Sequence, residues 1–171
     1  SETMQARIHD YGVIGDSRSA ALVSKGGSLD WLCWPRFDSP PIFAALLDPQ
    51  KGGRWTISPE DGFEVERSYV RDSNVLETRF RRESGEAVLT DLMPVASEQY
   101  KRQNIVPSHE LVREVRCVSG KMNLLVELLP RCDYGKKSPR IRNLGAMGLR
   151  FDVGRGSYWV LSNAPWKLED G

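Results

Sequence analysis

The sequence predicts an all-β fold, an antiparallel β-sandwich with one short helix. Two features carry this prediction. Apolar and polar side chains alternate with a period of two in several segments, which places the apolar ones on one face of a strand. Groups of turn residues separate these segments at a spacing of roughly 8 to 12 residues, as in sandwiches; they lie at residues 25–28, 49–53, 59–62, 72–74, 84–85, 119–120 and 154–157.

The clearest strand lies at residues 76–81, where Leu76, Thr78 and Phe80 face one way and the charged residues between them face the other. The same alternation predicts strands at residues 63–65, 149–153 and 158–160. Residues 122–129 are apolar on both faces, which is typical of a strand covered on both sides. We therefore expect this segment to be a central strand.

The connections are predicted from local turn chemistry. Ser84-Gly85 and Ser119-Gly120 are typical of hairpin turns. A helix is expected only at residues 42–47, where two prolines can open a first turn and Asp48-Pro49 closes it. The polar residues 98–108 lack alternation and are expected to form a loop. Residues 1–7 are expected to be a tag or a disordered terminus, and residues 8–171 one sandwich domain that ends without a closing strand.

The composition excludes several classes of protein. The 171 residues carry 24 Lys and Arg against 23 Asp and Glu, so no global charge attracts nucleic acid or an anionic membrane. No apolar run approaches the roughly 18 to 20 residues of a membrane helix. No secretion signal or glycosylation acceptor is visible, which predicts a cytoplasmic protein. Three widely spaced cysteines, Cys33, Cys117 and Cys132, are expected to be reduced, buried thiols.

Gly15-Asp16-Ser17 is similar to the nucleophile block of one class of serine esterases. That chemistry needs a histidine base three residues after an aspartate, near the end of the chain. The sequence has only His9 and His109, and neither has this context. We therefore expect an Asp-Ser turn, in which the side chains bond to the local backbone.

Other catalytic and ligand-binding patterns are weak. Two histidines and three cysteines provide no metal-ligand pair at short spacing, and no glycine-rich phosphate loop is complete, so no metal or cofactor is expected. The basic residues within 131–142 favour a solvated surface or a subunit contact over a nucleic-acid site. Four glutamates that alternate with arginines are expected on a solvated strand face rather than as a catalytic pair; they are Glu64, Glu66, Glu77 and Glu114.

Residues 29–43 contain the densest group of side chains suited to binding. Its candidate site residues are Asp30, Trp31, Trp34, Arg36, Phe37 and Asp38. Aromatic rings stack on pyranose faces, and Asp and Arg bind sugar hydroxyls, so the segment is suited to a sugar. In the alternative interpretation, the tryptophans pack in a core or an interface, and Arg36 pairs with Asp38 or Asp30 to hold the loop.

This segment also carries a resemblance. Residues 11–23, YGVIGDSRSAALV, and residues 27–40, GSLDWLCWPRFDSP, resemble the N-terminal domain of bacterial and archaeal glycoside hydrolase family 15 proteins, the glucoamylase-like and trehalase-like enzymes. Residues 52–55, 111–120 and 130–136 continue it in the same order. Cys132 is a departure, because the pattern usually has an aromatic residue there.

The resemblance implies a β-sandwich of the super-sandwich type. It also implies that catalysis belongs to an (α/α)6 barrel, absent from this chain, in which two glutamates invert the anomeric carbon. The parent enzyme would hydrolyse an α-glucoside, either trehalose or the ends of maltooligosaccharides. This chain, a truncated part or a stand-alone homologue, would be inactive alone, with the missing barrel as its partner and no nucleic acid, membrane or cofactor.

In such an enzyme the loop of residues 31–38 would lean over the barrel mouth, shaping the pocket or sealing the contact between domains. Two other functions remain open at this stage. The chain could be a stand-alone carbohydrate-binding module that uses Trp31 and Trp34 as a stacking platform. It could also be a purely structural domain that docks on the barrel and contacts no sugar.

Overall fold

A computed structural model describes residues 9–34, 36, 38–60, 62–95, 97–104, 109–131, 140–145, 148–153, 156–165 and 167–168. Helix α1 spans Glu98–Gln103. The strands are β1 Tyr11–Gly15, β2 Ala20–Ser24, β3 Ser28–Cys33, β4 Pro41–Phe43, β5 Arg54–Pro59, β6 Glu64–Tyr69, β7 Leu76–Arg82, β8 Gly85–Leu92, β9 Val112–Gly120, β10 Leu124–Leu129, β11 Arg140–Asn143, β12 Leu149–Val153 and β13 Gly156–Val160.

These strands form three antiparallel sheets. The largest has six strands in the order β1-β2-β3-β5-β10, with β4 paired to β3 beside β5. The second has the order β6-β7-β8-β9, and the third the order β11-β12-β13. The all-β prediction is confirmed, and the antiparallel sheets agree with the predicted sandwich. None of the helices in the described part of the chain is long and apolar enough to cross a membrane.

The hydrophobic core lies between the six-stranded sheet and the other two sheets. Buried side chains of β1 to β4 contact Leu76 of β7 and Phe151 of β12 in one cluster. A second cluster joins Ile57 of β5 to Phe80 and Leu89 of the four-stranded sheet. The alternation predicted for residues 76–81 is confirmed, because Leu76, Thr78 and Phe80 are fully buried.

A buried arginine ties the four-stranded sheet to the six-stranded sheet. Arg113 of β9 donates from Nε to Asp91 of β8 at 2.7 Å, and both side chains are fully buried. The same guanidinium donates to the backbone oxygens of Gly27 and Trp55 and lies 5.3 Å from the centre of the Trp55 ring. Burial raises the pKa of Asp91, while Arg113 acts in the opposite direction. Arg113 is therefore an inter-sheet anchor.

Strand β1 is an edge strand of the six-stranded sheet, and side chains from β6 cover it. The hydroxyl of Tyr69 accepts from the Val13 amide at 2.8 Å and donates to the Val13 carbonyl at 2.9 Å. Arg67 donates to the backbone oxygens of Asp10 and Val23. The outer backbone groups at the middle of β1 are therefore satisfied by the domain itself.

The prediction of a central strand at residues 122–129 is wrong. Strand β10 lies at the end of the six-stranded sheet and pairs only with β5 among the described residues. Leu125, Val126 and Leu129 are exposed. Apolar residues on both faces, which are typical of a covered strand, here lie on an exposed edge strand.

The helix predicted at residues 42–47 is also wrong. Residues 41–43 form β4, which pairs with β3, and a turn follows. The amides of Ala44 and Ala45 donate to the carbonyls of Gly52 and Gly53, and within residues 42–48 only one turn closes locally, at the Ala44 carbonyl, which accepts from the amides of Leu47 and Asp48. Residues 41–46 are all buried, whereas a short surface helix would have one polar face.

A helix instead occupies part of the predicted loop at residues 98–108. Ser97 is its N-cap and accepts from the Tyr100 amide at 3.1 Å. Asn104 closes the other end by donating to the Tyr100 carbonyl. The loop prediction is therefore wrong for Glu98–Gln103, and residues 105–108 lie outside the described residues.

The hairpin at Ser84-Gly85 is confirmed by the pairing of β7 with β8, but the hairpin at Ser119-Gly120 is wrong. Gly120 has a φ of 63°, and a Cβ there would lie 2.1 Å from the carbonyl oxygen of Ser84. This close approach lets the chain leave the four-stranded sheet and enter β10 of the other sheet.

The expectation of buried, reduced thiols holds for one of the two described cysteines. Cys33 is free and buried, and burial raises the pKa of its thiol. Cys117 is free but exposed, on the edge strand β9 of the four-stranded sheet. Cys132 and the predicted terminus at residues 1–7 lie outside the described residues.

Candidate functional site

The site is built around the turn that follows β1. The carboxylate of Asp16 accepts at Oδ1 from the amides of Arg18 and Ser19, at 3.0 and 2.9 Å, and from the Ser19 hydroxyl at 3.0 Å. Ser17 has a φ of 71°, which the turn requires. The predicted Asp-Ser turn, with side chains bonded to the local backbone, is therefore confirmed.

The second oxygen of Asp16 lies 3.2 Å from Nδ1 of His109, and both side chains are almost buried. Burial alone would raise the pKa of Asp16. The two backbone amides and the contacts with His109 and Ser19 outweigh burial, so the pKa of Asp16 lies below its ordinary value of 3.8. The ionised carboxylate is thus the form that the fold favours.

Ser17 and His109, which flank Asp16 in this site, do not form a nucleophile–base pair. Among the described contacts, Ser17 makes no hydrogen bond to His109, and the carboxylate of Asp16 is committed to the turn. A serine nucleophile needs its hydroxyl within hydrogen-bond reach of the base. The contact with Asp16 therefore orients the His109 ring. The described geometry gives no support to serine hydrolysis.

Trp34 extends this group of side chains. Its ring stacks on Tyr158 at a centroid distance of 6.0 Å and an interplanar angle of 17°, and it lies 6.0 Å from the His109 ring. Tyr158 in turn stacks on Phe151 of β12 at 5.5 Å. We call Asp16, Trp34, His109 and Tyr158 the Trp34 cluster. It joins the ends of β1 and β3 to the three-stranded sheet.

The Trp34 cluster is largely enclosed. Trp34 is half-buried and packs against the main core, and its indole Nε1 is buried without a hydrogen-bond acceptor. Burial also raises the pKa of the Tyr158 hydroxyl. Stacked rings and a desolvated phenol are typical of packing. The cluster therefore anchors the start of the candidate loop.

The other predicted residues divide into anchored and exposed ones. Asp30 is half-buried and accepts from the hydroxyls of Tyr11 and Ser28, both at 2.5 Å. Trp31 is half-buried in β3, opposite Leu22 of β2. These two side chains are held by the six-stranded sheet.

Arg36 and Asp38 are exposed. The Nε atom of Arg36 lies 4.0 Å from Oδ1 of Asp38, and the Arg36 amide donates to the Ser39 hydroxyl. Phe37 lies outside the described residues. The structure thus brings Trp34 together with Asp16 and His109, but it brings neither Asp30 nor Trp31 into that cluster through a described contact.

Sequence reasoning missed Asp16 and His109 as neighbours of Trp34. The two residues are 93 positions apart, and no local pattern links them. The density of aromatic residues in the predicted loop gave a signal for Trp34 alone. Tyr158 belonged to a predicted strand, but its alternation indicated only that it had one buried face.

The remaining chemistry-bearing groups are accounted for by local pairs. Glu86 accepts from Arg79 at 2.5 Å and from Arg81 at 3.2 Å, which lowers the pKa of Glu86, and Arg81 also lies 3.5 Å from Glu66. Of the four glutamates predicted on a solvated face, Glu64, Glu66 and Glu114 are exposed and Glu77 is half-buried. In the part of the chain that the structure describes, no group of three His, Cys, Asp or Glu side chains could hold a metal ion.

Surface depressions lie away from the candidate loop. One is lined by residues 69–74, at the turn between β6 and β7, and another by residues 62–64 and 81–83. Most of the basic run within 131–142 lies outside the described residues, while Arg140 and Arg142 are exposed on β11.

Comparison with known proteins gives a consistent family assignment. Residues 2–161 match the family model described as "Trehalase-like, N-terminal". Trehalase 1 of Sulfolobus acidocaldarius is 36% identical over 157 residues, which are 90% of this chain and 25% of that protein. The trehalase of Thermoplasma volcanium is 32% identical over 163 residues, 93% of this chain and 25% of that protein.

The trehalase of Mycolicibacterium smegmatis is 33% identical over 142 residues, which are 77% of this chain and 21% of that protein. The chain therefore spans about a fifth to a quarter of the length of these curated relatives. No solved structure matches it significantly. The family match covers most of the strands described above, and with the antiparallel fold it shows that this chain belongs to the family of trehalase-like N-terminal domains.

Proposed function

We propose that this chain is the non-catalytic N-terminal domain of a trehalase-type glycoside hydrolase, and that the catalytic carboxylates belong to polypeptide outside it. One observation carries the proposal: the matches to three trehalases cover 77% to 93% of this chain, yet only a fifth to a quarter of the length of those relatives. The relatives' names support trehalose as the substrate of the whole enzyme. We propose that the whole enzyme acts by inversion with two carboxylates.

The charges of the described residues fit a supporting role. A glycosidase needs two carboxyl groups roughly 5 to 9 Å apart across a bound sugar, one of them with a raised pKa. Asp16 is committed to a turn, Asp30 to two hydroxyls, and Asp91 to Arg113. The best-buried carboxylates therefore hold the fold together.

The candidate loop supports a contact with the rest of the enzyme. Its start is fixed by Trp34, whose ring is packed on Tyr158 and His109. Arg36 and Asp38 then project into solvent with only a long ion pair between them. We propose that this anchored loop presents the charges of Arg36 and Asp38 to the mouth of the catalytic domain.

The alternative of a stand-alone carbohydrate-binding module has less support. A carbohydrate-binding module needs an exposed aromatic face, and the ring of Trp34 is flanked by Tyr158 and His109. Titration of the 171-residue chain with trehalose, maltose and maltotriose, followed by tryptophan fluorescence, tests that alternative. Saturable quenching would favour a binding module.

A cytoplasmic location stays a prediction.

The main test compares trehalose hydrolysis by the 171-residue chain and by the whole enzyme that contains it. We expect turnover only in the whole enzyme. In that enzyme, Arg36→Ala should raise KM about threefold or more with kcat little changed, since a contact that is equal in ground and transition states is lost.

Arg71→Ala is the matched control, because Arg71 is also exposed and also lies beside an aspartate, Asp72, at 3.7 Å. We expect it to leave KM unchanged. Turnover by the chain alone would overturn the proposal of a non-catalytic domain. If Arg36→Ala and Arg71→Ala have equal kinetics and equal melting temperatures, the proposed contact of the loop with the catalytic domain is wrong. The domain would then have a purely structural role.

A further inference from the structure

Strand β10 is an open, apolar edge of the six-stranded sheet. Its sequence, LLVELL, contains one charged residue, Glu127. Leu125, Val126 and Leu129 are all exposed, and among the described residues no strand pairs with its outer side. Exposed edges of folded proteins are usually protected by Lys, Pro, bulges or covering side chains. The described structure of β10 shows none of these protections.

The apolar side chains of β10 lie on both faces of the sheet. Val126 pairs with Ile57, which is buried between the sheets, so Val126 points to the core side. Leu125 pairs with Ser58 and Leu129 with Arg54, so both point to the opposite side. An added strand would satisfy the outer backbone groups of β10. It would also place its own side chains beside those of β10 on both faces of the sheet.

Three other edge strands of the described sheets, β1, β6 and β9, differ from β10. Strand β6 carries Glu64, Glu66 and Arg67, and β1 is closed by Tyr69. Strand β9 carries charged residues on its exposed part. Charge and covering side chains thus protect these edges from added strands, whereas β10 combines an unpaired backbone with apolar side chains.

We propose that β10 pairs with a further strand supplied by the remaining polypeptide of the trehalase-type enzyme, which extends the six-stranded sheet. This inference rests on the proposed function. It commits to that occupant because the curated relatives are four to five times as long as the matched region, which covers 21% to 25% of them. The added strand has apolar residues at neighbouring positions, facing Val126 on one side of the sheet and Leu125 and Leu129 on the other.

The test is hydrogen exchange measured by mass spectrometry on the 171-residue chain and on the whole enzyme. We expect amides of Leu124–Leu129 to exchange at least about tenfold more slowly in the whole enzyme, because pairing adds hydrogen bonds. Amides of Tyr11–Gly15, already covered by Tyr69, should change much less. Equal exchange of β10 in both proteins would overturn the proposal.

A charged variant gives a second readout. Val126→Lys in the whole enzyme should abolish the extra protection of β10. Val118→Lys on β9 is the control, since Val118 is 46% exposed and Val126 48%. Both variants should leave the melting temperature of the 171-residue chain within about 2 °C. Protection that persists in Val126→Lys contradicts strand addition.

The failure of this proposal can be told apart from failure of the proposed function. If the whole enzyme hydrolyses trehalose but its β10 amides gain no protection, only the proposal of an added strand fails. If the β10 amides gain protection but trehalose is not hydrolysed, only the proposed substrate is wrong. Protection of β10 that rises with the concentration of the 171-residue chain, together with a dimer in light scattering, would show a second copy as the occupant and overturn the proposal.

Discussion

The two edge strands of the six-stranded sheet, β1 and β10, differ in what meets their outer sides. At β1, the Tyr69 hydroxyl satisfies both the amide and the carbonyl of Val13. Arg67 donates to the Asp10 carbonyl, just before β1, and to the Val23 carbonyl in β2. At β10, three large apolar side chains are exposed and no described strand pairs with the outer side. One edge is closed by the domain's own residues, and the other is open.

This difference teaches where a partner of the domain would bind. A tyrosine hydroxyl that occupies an edge amide and carbonyl competes with any incoming strand, so β1 is poorly suited to pairing. The charged side chains of Arg36 and Asp38 in the candidate loop, and the apolar side chains of β10, are in contrast exposed to solvent. The proposed contacts with the rest of the enzyme therefore fall on these two features, and β1 is left out.

The largest expected effect tests whether the closure of β1 depends on the packing of the sheets. Arg113→Met leaves the Asp91 carboxylate buried without its partner, which should lower the free energy of unfolding by about 3–5 kcal/mol. Because Tyr69 and Arg67 belong to the sheet that Arg113 anchors, exchange of β1 amides should also accelerate. Urea unfolding and hydrogen exchange of the 171-residue chain measure both effects.

Two further variants control this prediction. Arg116→Met, on the exposed side of the same strand, should change the free energy of unfolding by less than about 0.5 kcal/mol. Arg113→Met combined with Asp91→Leu removes both charges and should recover much of the loss. If Arg113→Met is as stable as Arg116→Met, the inter-sheet anchor does not exist as described.

The next effect concerns Asp16, which directly follows β1. Asp16→Asn should lower the free energy of unfolding by about 1–2 kcal/mol at neutral pH, since hydrogen bonds to a charged acceptor are replaced by weaker ones. The pKa of Asp16 lies below its ordinary value of 3.8 in the folded chain. The extra stability is thus present above about pH 3.8 and is lost as the pH falls through the folded pKa.

Urea unfolding of both proteins between pH 7 and pH 3 measures this difference. We expect the two curves to converge on the acid side of the range. Asp38→Asn, at an exposed carboxylate, is the control and should show a difference of less than about 0.5 kcal/mol at any pH. A gap between wild type and Asp16→Asn that stays constant into acid would contradict the role of the ionised carboxylate.

The features that could be predicted from the sequence are those that depend on local contacts. The alternation at Leu76, Thr78 and Phe80 gave β7, because the period of a strand is visible within a few residues. The turn at Asp16 could also be predicted, since its hydrogen bonds reach only two or three residues along the chain. Both predictions needed no knowledge of the rest of the fold.

The features that failed depend on distant residues. The prolines before residue 42 fit a helix start, but the amides of Ala44 and Ala45 bond to Gly52 and Gly53 instead. The contact between Asp16 and His109 joins residues that are 93 positions apart and has no local signal. The prediction that residues 122–129 form a central strand failed for another reason. An apolar strand can be covered by its own domain or by a partner, and the sequence of the strand does not distinguish the two.

The smallest effect bears most directly on the two edges. Tyr69→Phe removes the hydroxyl that bonds to Val13 and should cost about 0.5–1.5 kcal/mol of folding free energy. Exchange of the Val13 amide should accelerate toward the rate at β10. Tyr100→Phe on α1 is the control, because Tyr100 is 52% exposed and Tyr69 48%, and no described hydrogen bond involves the Tyr100 hydroxyl. It should change neither quantity.

The exchange of Val13 carries the most information, because it separates two reasons why β1 is closed. If Tyr69→Phe opens β1, its closure depends on one hydroxyl, and Tyr69→Phe should also promote association of the chain through β1, as expected for an unprotected edge. If Val13 exchanges as slowly in Tyr69→Phe as in wild type, the ring of residue 69 and Arg67 protect β1 by covering it. Only the first result makes hydrogen bonding at the edge the feature that distinguishes β1 from β10.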